Sequence, residues 1–420
     1  MKNPDSNLAF AEPAELENWE TISSFESNGT LFSLRCYDSV SGLSSLENDW
    51  RKLEEKSVEG FDYFQTFDWC YRWCEIFIKS DAPENADLPQ VFALYADDCI
   101  AMIWPLMKVQ SRSGLVFLES LSIPLGQYSN VLHDADLVNV ETGRQVWAEI
   151  KRACGADAVS ICDYPESGFL AEILGTDGID EAVKNVSSIL DYSKIENWDA
   201  YLSTLSKSQR KQRRQKLSKL EALGKIELRI CHHHDPDFHD LAMLAVDMKR
   251  EWLSRTSRHS QSLFEEDSAV FLSGLRQKSI CDLGLDGPVL FMLELENKPI
   301  AFELGMLRQK HYYSYLGSID LDYASYSPGK VQIDMAQKWA FENGVDKFDF
   351  LSDPSEYKKS WSNLWVPVIA RYFPITQRGW IYCAVWKAQL KPFIRSLYRR
   401  ANPNMRKYVN RLLGVSREAG

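Results

Sequence analysis

Residues 289–317 read VLFMLELENKPIAFELGMLRQKHYYSYLG, three apolar stretches that are separated by short polar pairs. Apolar runs of this length, rich in aromatic and branched side chains and bounded by turn-forming residues, are typical of β-strands. The strands are predicted at 289–296, 300–307 and 311–317, with turns at 297–298 and 309–310. The stretch therefore predicts a three-stranded antiparallel meander.

A helix and a further strand are predicted directly after the meander. Pro328 suits the first turn of a helix, because an N–H at that position would have no helical partner. Apolar residues follow at helical spacing up to Trp339, and Gly344 is a typical helix stop. The mostly apolar residues 347–351 then predict the strand.

The same order of elements occurs about 200 residues earlier in the chain. Its strands, helix and last strand are predicted at 90–96, 99–109, 115–122, 140–153 and 158–162. Amphipathic helices are predicted ahead of both meanders. The matching order of five elements favours an internal duplication, and the two copies join near residues 192–206.

The composition is that of a globular protein, with 420 residues, a formal net charge of −11, 45% apolar and 12% aromatic residues. This length predicts two or three domains. The acidic first thirty residues lack the pattern of a signal peptide, and no apolar run is long enough to predict a membrane span. Nine scattered cysteines, an odd number, favour reduced thiols and a cytoplasmic protein.

One short stretch is rich in metal-ligand side chains, namely CHHHD at 231–235, with His239 nearby. Adjacent histidines point in divergent directions, and no second ligand pair has zinc-like spacing. We therefore predict a polar loop between a strand and a helix, and no bound metal.

The element order of each copy is that of GNAT acyltransferases, and two copies in one chain resemble the FemAB-type tandem arrangement. Three stretches resemble the CelD-like bacterial acetyltransferases of exopolysaccharide and cellulose synthesis. They are FQTFDW at 64–69, SKSQRK at 206–211, and YSPG at 326–329 followed by FDFL at 348–351, Tyr357-Lys358 and Trp361. The resemblance extends over residues 32–375 and is strongest over 206–361.

The resemblance implies an α/β fold of two tandem GNAT-like domains, with mixed, centrally antiparallel sheets flanked by helices. The predicted division is an acidic extension at 1–30, a degenerate first domain at 31–195, a second domain at 196–375 and basic amphipathic helices at 376–420. The first copy has LGQY at 125–128 and no SPG motif. The second copy is therefore the predicted acyl-CoA site.

The sequence SPGK at residues 327–330 has the features of an anion site at a helix start. Unpaired N–H groups and the positive end of the helix dipole favour a phosphate there. Ser327 and Pro328 form the turn, Gly329 allows close approach and Lys330 adds a charge. The alternative is an ordinary helix start that the Ser327 side chain caps. With the resemblance, we predict that the pyrophosphate of acetyl-CoA or another acyl-CoA binds there.

The resemblance further implies that the third meander strand offers backbone N–H groups to the thioester carbonyl. The corresponding residues are Tyr315, Leu316 and Gly317. Donors aimed at developing negative charge are often the largest contribution to acyl-transfer catalysis.

Two carboxylates inside otherwise apolar strands, Glu303 and Asp349, are candidate bases, because burial raises the pKa of a carboxyl group. The alternation of strand side chains leaves open that either one faces solvent. No Ser-His-Asp or Cys-His set is apparent in the sequence. Direct attack by the acceptor amine is therefore favoured over a covalent acyl-enzyme.

Tyr357 and Lys358 follow the last predicted strand. The resemblance implies a tyrosine hydroxyl near the departing sulfur at this place, and a lysine near the acceptor or the developing oxyanion. The alternative is a helix start in which Tyr357 and Trp361 form an i, i+4 packing pair and Lys358 is solvated.

Two basic segments lie in this acidic chain, nine lysines and arginines within 207–229 and ten within 378–420. The first, with Arg210 and Arg214 as candidate substrate ligands, is either a solvated helix face or contacts cofactor phosphates, a diphosphate-linked sugar or tRNA. The tail predicts a basic amphipathic helix that either lies on an anionic membrane or packs on the acidic body.

These features predict an N-acyltransferase, most simply an acetyltransferase, that acts on an amino sugar or related amine in surface polysaccharide synthesis. One alternative is FemAB-like transfer of an aminoacyl group from tRNA. A second alternative is a non-catalytic protein that binds a glycan precursor. DNA is not a predicted partner.

Overall fold

The computed structural model describes residues 18–27, 29–57, 60–78, 87–111, 113–181, 185–256, 261–278, 285–352 and 356–390. The first part of the predicted acidic extension and the predicted amphipathic helix beyond residue 400 lie outside these ranges. None of the described helices is long and apolar enough to cross a membrane.

The first copy contains nine strands and five α-helices among its described residues. Its strands are β1 Glu20–Ser27, β2 Thr30–Tyr37, β3 Leu88–Ala96, β4 Cys99–Gln110, β5 Val116–Ser120, β6 Leu132–His133, β7 Ala158–Pro165, β8 Ile179–Asp180 and β9 Asn185–Asp191. Its helices are α1 Val40–Ser45, α2 Glu47–Lys56, α3 Phe67–Phe77, α4 Val140–Ala153 and α5 Phe169–Leu174.

The second copy repeats this plan and adds two helices ahead of it. Its helices are α6 Trp198–Thr204, α7 Lys207–Glu221, α8 Phe238–Arg255, α9 Gln261–Phe264, α10 Glu266–Ser273, α11 Pro328–Glu342, α12 Glu356–Lys359 and α13 Gln377–Trp380. Its strands are β10 Ile226–His232, β11 Gly287–Leu295, β12 Lys298–Arg308, β13 His311–Ile319, β14 Lys347–Ser352 and β15 Leu364–Pro374. A π-helical segment follows at Ile381–Leu390.

Both copies contribute to one continuous sheet. Its strand order is β1-β2-β3-β4-β5-β7-β15-β9-β14-β13-β12-β11-β10. The last strand of each copy pairs with the other copy, since β9 lies beside β14 and β15 lies beside β7. The strand pairing therefore joins residues on both sides of the predicted division at residue 195. The predicted α/β fold of two tandem copies is confirmed, but the sheets of the two copies are joined.

The meanders agree with the sequence prediction except in small shifts. The turn after β11 has positive φ at Glu296 and Asn297, one residue earlier than predicted, whereas Gln309 and Lys310 form the second turn as predicted. The structure also differs at the N-terminus, where Glu20–Ser27 is a strand paired with β2. Ile22 and Phe25 in that strand pack against the core of the first copy, which explains its order.

The two copies share a core on one face of the sheet. Trp69 of the first copy lies edge-on to Phe271 of the second, with ring centroids 4.8 Å apart. Beside this core the fully buried Arg308 donates to Asp62 at 3.1 Å and lies 3.4 Å from Glu54. The two copies are therefore joined by apolar contact and by a buried ion network.

Candidate functional site

The candidate site lies where β13 and β14 separate. These parallel neighbours pair only from His311–Lys347 to Tyr313–Asp349, although both strands continue beyond that point. On its other side, β13 changes register against β12, with Leu304 opposite Leu316 and Gly305 opposite Ser314. Tyr315 is thus an extra residue in β13, which is a β-bulge. The predicted donors Tyr315, Leu316 and Gly317 all lie in the part of β13 that is not paired with β14.

Asp349 has a structural role at the base of this opening. Its fully buried carboxylate accepts from the Ser187 hydroxyl at 2.7 Å and from the Leu351 backbone N–H at 2.8 Å. Tyr128 of the first copy donates to both of its oxygens at 3.1 Å. Leu351, whose N–H donates to Asp349, has a φ of +63°. This conformation distorts β14 close to the point where its pairing with β13 ends. The role of Asp349 as a base remains a prediction that these contacts do not favour.

Glu303 is buried on the opposite face of the sheet, the face that α11 covers. It accepts from the Tyr312 hydroxyl at 2.9 Å and pairs in register with Gly317. Burial raises the pKa of Glu303 above its ordinary value, although hydrogen bonds from Tyr312 and Ser314 and the charge of Lys358 oppose the shift. Burial thus moves the pKa of Glu303 toward neutrality at a position beside the opening.

Lys358 and Tyr357 lie near Glu303 on the same face. The Lys358 ammonium donates to the carbonyl of Phe350 at 2.6 Å, the first β14 carbonyl beyond the last residue paired with β13. The Tyr357 ring is 41% exposed, but protein surrounds its hydroxyl. That burial, followed by the charge of Glu303, raises the pKa of Tyr357. The structure brings three of the four predicted catalytic residues together.

The start of α11 is not capped by the Ser327 side chain. Ser327 adopts a left-handed conformation with φ +58°, and its side chain makes no capping hydrogen bond. A Cβ on Gly329 would lie 3.1 Å from the Ile319 side chain, so this residue is close to the end of β13. Pro328 is the first helical residue, as predicted. The Ser327 side chain therefore does not cap the helix, so that part of the alternative interpretation of this motif is wrong.

Helix α7 brings further cations to this helix start. Arg213 forms an ion pair with Asp334 of α11, and its guanidinium lies 4.2 Å from the centre of the Trp361 ring. Burial, then the charges of Lys330 and Arg213, lower the pKa of Lys216. The Lys330 ammonium itself lies 5.9 Å from the centre of the Tyr357 ring. Two lysines thus lie together, beside a single carboxylate that already pairs with Arg213.

The two predicted substrate ligands of α7 lie outside this group of cations. Arg210 donates to the carbonyls of Leu202 and Ser203, so it closes the end of α6. Arg214 is exposed. Their role as ligands remains a prediction. The sequence signal for Lys216 was the basic strip itself, but which of its residues face α11 follows only from the packing of the two helices.

A cavity of about 370 Å³ opens on the other face of the sheet, beside the end of β13. Its floor is apolar and its rim is charged. The apolar side chains are Leu244, Met248, Trp252, Phe302 and Ile319, and the acidic ones are Glu251, Asp320 and Asp322. Arg255 and Lys298 pair with these carboxylates. Lys249 connects the cavity to the opening, because it donates to the Gly317 carbonyl at 2.8 Å and stacks on Trp252.

The histidine-rich stretch forms the predicted loop between β10 and α8. His233 bonds to the backbone carbonyl of Asp286 at 3.0 Å, and Asp235 accepts from the His232 N–H. Within the part of the chain that the structure describes, no group of three metal-ligand side chains could hold an ion.

Comparison with known proteins shows what the second copy and the whole fold are similar to. Residues 207–359 match the model of the acetyltransferase (GNAT) domain. The fold is similar to the crystal structure of FemX, with a TM-score of 0.54 and 12% identity, over 81% of this chain and 98% of that one. No curated protein matches the sequence.

A second solved structure has the same fold. It is the C-terminal domain of a "Putative Lysylphosphatidylglycerol Synthetase" from Agrobacterium fabrum, with a TM-score of 0.50 and 13% identity, over 79% of this chain and 92% of that one. Residues 207–359 of the second copy thus match an acetyltransferase (GNAT) domain, which makes the chain an acyltransferase.

Proposed function

We propose that this acyltransferase moves an acyl group, first of all acetyl, from acyl-CoA to the amine of an amino sugar or a related acceptor. The single observation that carries the proposal is the opening between β13 and β14. It has a bulged strand on one side, Lys358 and Glu303 on the α11 face, and an uncapped cationic helix start beyond it. A thioester needs these groups together, and among the described residues only the second copy has all of them.

The residues at the start of α11 fit a diphosphate. The charge of Lys330 repels Lys216, although Asp334 partly offsets this repulsion, and the repulsion would fall when a phosphate lies between the two lysines. The Gly329 N–H at the start of α11 adds a backbone donor to the same place, whereas the Lys330 N–H already donates to the Ser327 carbonyl. The bound acyl-CoA would supply the activated thioester, and its carbonyl would lie near Tyr315, Leu316 and Gly317.

The remaining groups are suited to proton transfer. Glu303 would accept the proton of the attacking amine, because its raised pKa brings it closer to the pKa of a useful base near neutral pH. The Tyr357 hydroxyl would donate toward the departing sulfur. Lys358, which already neutralises part of the charge of Glu303, would stabilise negative charge that develops in the opening.

The cavity beside Gly317 favours an amine acceptor. The carboxylates of Glu251, Asp320 and Asp322 at its rim can accept hydrogen bonds from an ammonium group, and Arg255, Lys298 and the neighbouring Lys249 balance their charge. Trp252 and Phe302 offer apolar faces for the C–H side of a sugar ring. This cavity and the CelD-like motifs support an amino-sugar acceptor in polysaccharide synthesis. We place the reaction in the cytoplasm. If the acceptor is linked to a lipid, the reaction takes place at the inner face of the membrane.

Thiol release from acetyl-CoA tests the proposal against a panel of free and nucleotide-linked amino sugars. We expect release to depend on an amino sugar and to be absent with the matched N-acetylated sugar, which has no free amine. Thermal stabilisation by acetyl-CoA, at a concentration far above its Kd, checks binding without an acceptor. No stabilisation by acetyl-CoA and no thiol release with any amine would contradict the proposal.

FemAB-like transfer from tRNA is a second candidate because of the outer face of α7. Lys207, Lys211 and Arg214 are exposed there, at the spacing of one helix face. tRNA binding predicts an affinity whose logarithm falls steeply with the logarithm of salt concentration. Binding of aminoacyl-tRNA with such a slope, together with no stabilisation by acetyl-CoA, would favour this candidate.

A further inference from the structure

The loop between β5 and β6, residues 121–131, fills the strand separation of the first copy. There, β5 and β7 pair in parallel only up to Glu119–Ser160. Beyond that point Ser129 bonds to β7, with its hydroxyl donating to the Cys162 carbonyl and its N–H to the Asp163 carbonyl. The place that corresponds to the thioester opening is therefore closed by the first copy's own chain.

The same loop contacts both strands of the second copy's opening. The Tyr315 hydroxyl, at the bulge of β13, donates to the Leu125 carbonyl at 2.9 Å. The Tyr128 hydroxyl donates to the Asp349 carboxylate of β14. Tyr128 is 2% exposed and Asp349 is fully buried, so the contact between them is shielded from water, whereas the Tyr315–Leu125 bond is partly buried. One short segment, residues 125–128, thus connects the two strands that flank the opening.

A second set of contacts holds the loop itself in place. Gln65 donates to the Tyr128 carbonyl and Trp69 donates to the Ser122 hydroxyl, each at 2.8 Å. Both side chains belong to the FQTFDW stretch at 64–69. Because these donors are buried, the loop has a fixed position relative to the shared core, and its bonds to Tyr315 and Asp349 are directed.

We propose that the 121–131 loop is a positioning element of the acyl-transfer site, by which the first copy sets the separation of β13 and β14 in the second. Tyr128 and the Leu125 carbonyl act through Asp349 and Tyr315 and touch no substrate. Backbone donors stabilise a developing oxyanion only when they are held within a fraction of an ångström, so the spacing of the strands determines how well the site works. The inference rests on the proposed acyl-CoA site.

Two substitutions remove these bonds while keeping the rings, Tyr128→Phe and Tyr315→Phe. Tyr95→Phe is a matched control, since the buried Tyr95 hydroxyl also donates to a carboxylate, that of Asp49, at 3.1 Å and far from the opening. We expect each test variant to raise amide exchange in residues 311–319 and 347–352 and to weaken acetyl-CoA binding about threefold to tenfold. Tyr95→Phe should leave both properties within about twofold of the wild type.

The two measurements separate the possible failures. Amide exchange needs no ligand, so it tests the effect of the loop on the two strands even if the wild type does not bind acetyl-CoA. In that case the proposed function fails, but the role of the loop in holding β13 and β14 can still be tested. Unchanged acetyl-CoA affinity in both folded variants, measured well below their melting temperatures, would reduce the loop to a purely structural role and overturn the inference. If one variant does not fold, the other decides.

Discussion

The two copies have the same order of core strands, but they differ at the place where two parallel strands separate. The separation is filled in the first copy and open in the second. In the first copy, Ser129 satisfies the β7 carbonyls that the separation leaves unpaired. In the second, the corresponding region of β14 has its Phe350 carbonyl bonded by Lys358, a side chain that comes from beyond the strand. The loop that contains Ser129 closes the first opening, whereas the charged side chain of Lys358 lines the second. The comparison shows that strand separation is a property of the fold, whereas access to it depends on one loop.

The helix starts differ in the same sense. Asn139 caps α4 by accepting from the Thr142 N–H at 2.9 Å, and Glu141 lies in the first turn. At α11 the Ser327 side chain makes no cap, and Lys330 lies in the first turn. Because the cap occupies the Thr142 N–H and the charge of Glu141 repels a phosphate, the second start suits an anion better than the first.

The middle strands complete the contrast. The strands β4 and β12 begin 199 residues apart, which places Trp104 where the second copy has Glu303. Trp104 is buried against Trp147 of α4, with ring centroids 5.4 Å apart. A packing residue thus occupies the place of the candidate base. The first copy therefore has the architecture of the site without its chemistry.

The largest expected effect concerns the buried ion network that joins the copies. Arg308→Ala leaves Glu54 and Asp62 without their cation in a dry environment, and we expect it to lower the free energy of unfolding by about 3–5 kcal/mol. Arg371→Ala is the control, because its partner Asp180 is 55% exposed. Urea unfolding measures both variants. Equal, small losses would show that the copies are not held together by this network.

Glu303→Gln tests the contrast between Glu303 and Trp104. We expect kcat to fall by about 100-fold or more with acetyl-CoA affinity unchanged, because a general base contributes on this scale. The wild-type rate should rise with pH through the raised pKa of Glu303, since only the ionised carboxylate accepts a proton, and the variant should lose that rise. An unchanged pH profile in the variant would exclude Glu303 as the base.

Glu54 is expected to make stability depend on pH. Burial raises the pKa of Glu54 to about 7 in the folded protein, although the charge of Arg308 opposes the shift. The folded state therefore binds more protons than the unfolded state between the two pKa values. This stabilisation is complete below the unfolded pKa and is lost as pH rises toward 7, by roughly 1–3 kcal/mol. Urea unfolding from pH 5 to 8 should show this fall in the wild type and a flatter profile in Glu54→Gln.

The smallest expected effect concerns the cationic helix start. Lys330→Ala and Lys216→Ala should each weaken acetyl-CoA binding about fivefold to tenfold, and less at high salt, because each removes one charge next to a phosphate. Lys338→Ala, at a surface ion pair with Glu342 on the same helix, is the control. Calorimetric titration gives the affinities. If Lys338→Ala weakens binding as much as the other two, the diphosphate is not held at the start of α11.

Local sequence patterns were sufficient for most elements and for part of the site. The helix α4 has its predicted bounds at 140 and 153, and the two-residue turn at Gln309 and Lys310 was evident from polar residues between apolar runs. The roles of Tyr357 and Lys358 were implied by the resemblance and that of Glu303 by its place in an apolar strand. Their approach followed from neither, since nothing in their spacing places a residue after β14 next to the middle of β12.

The long-range arrangement could not be predicted from such patterns. The pairing of β15 with β7 joins residues about 200 positions apart, and the sequence of an apolar strand does not indicate which strand it pairs with. The same applies to Tyr128, whose partner Asp349 lies 221 positions away. The LGQY stretch at 125–128 was noticed as a departure from the family pattern, but its contacts depend on how the two copies dock.

The exchanged final strands have a consequence for biosynthesis. Because β15 lies between β7 and β9, neither neighbour has its full set of strand partners until Leu364–Pro374 has left the ribosome. A nascent chain that ends before this point presents two open strand edges, which are sites of unwanted association. The first copy emerges early but is completed late. Chaperone dependence during synthesis should therefore end only when the last strand is inserted.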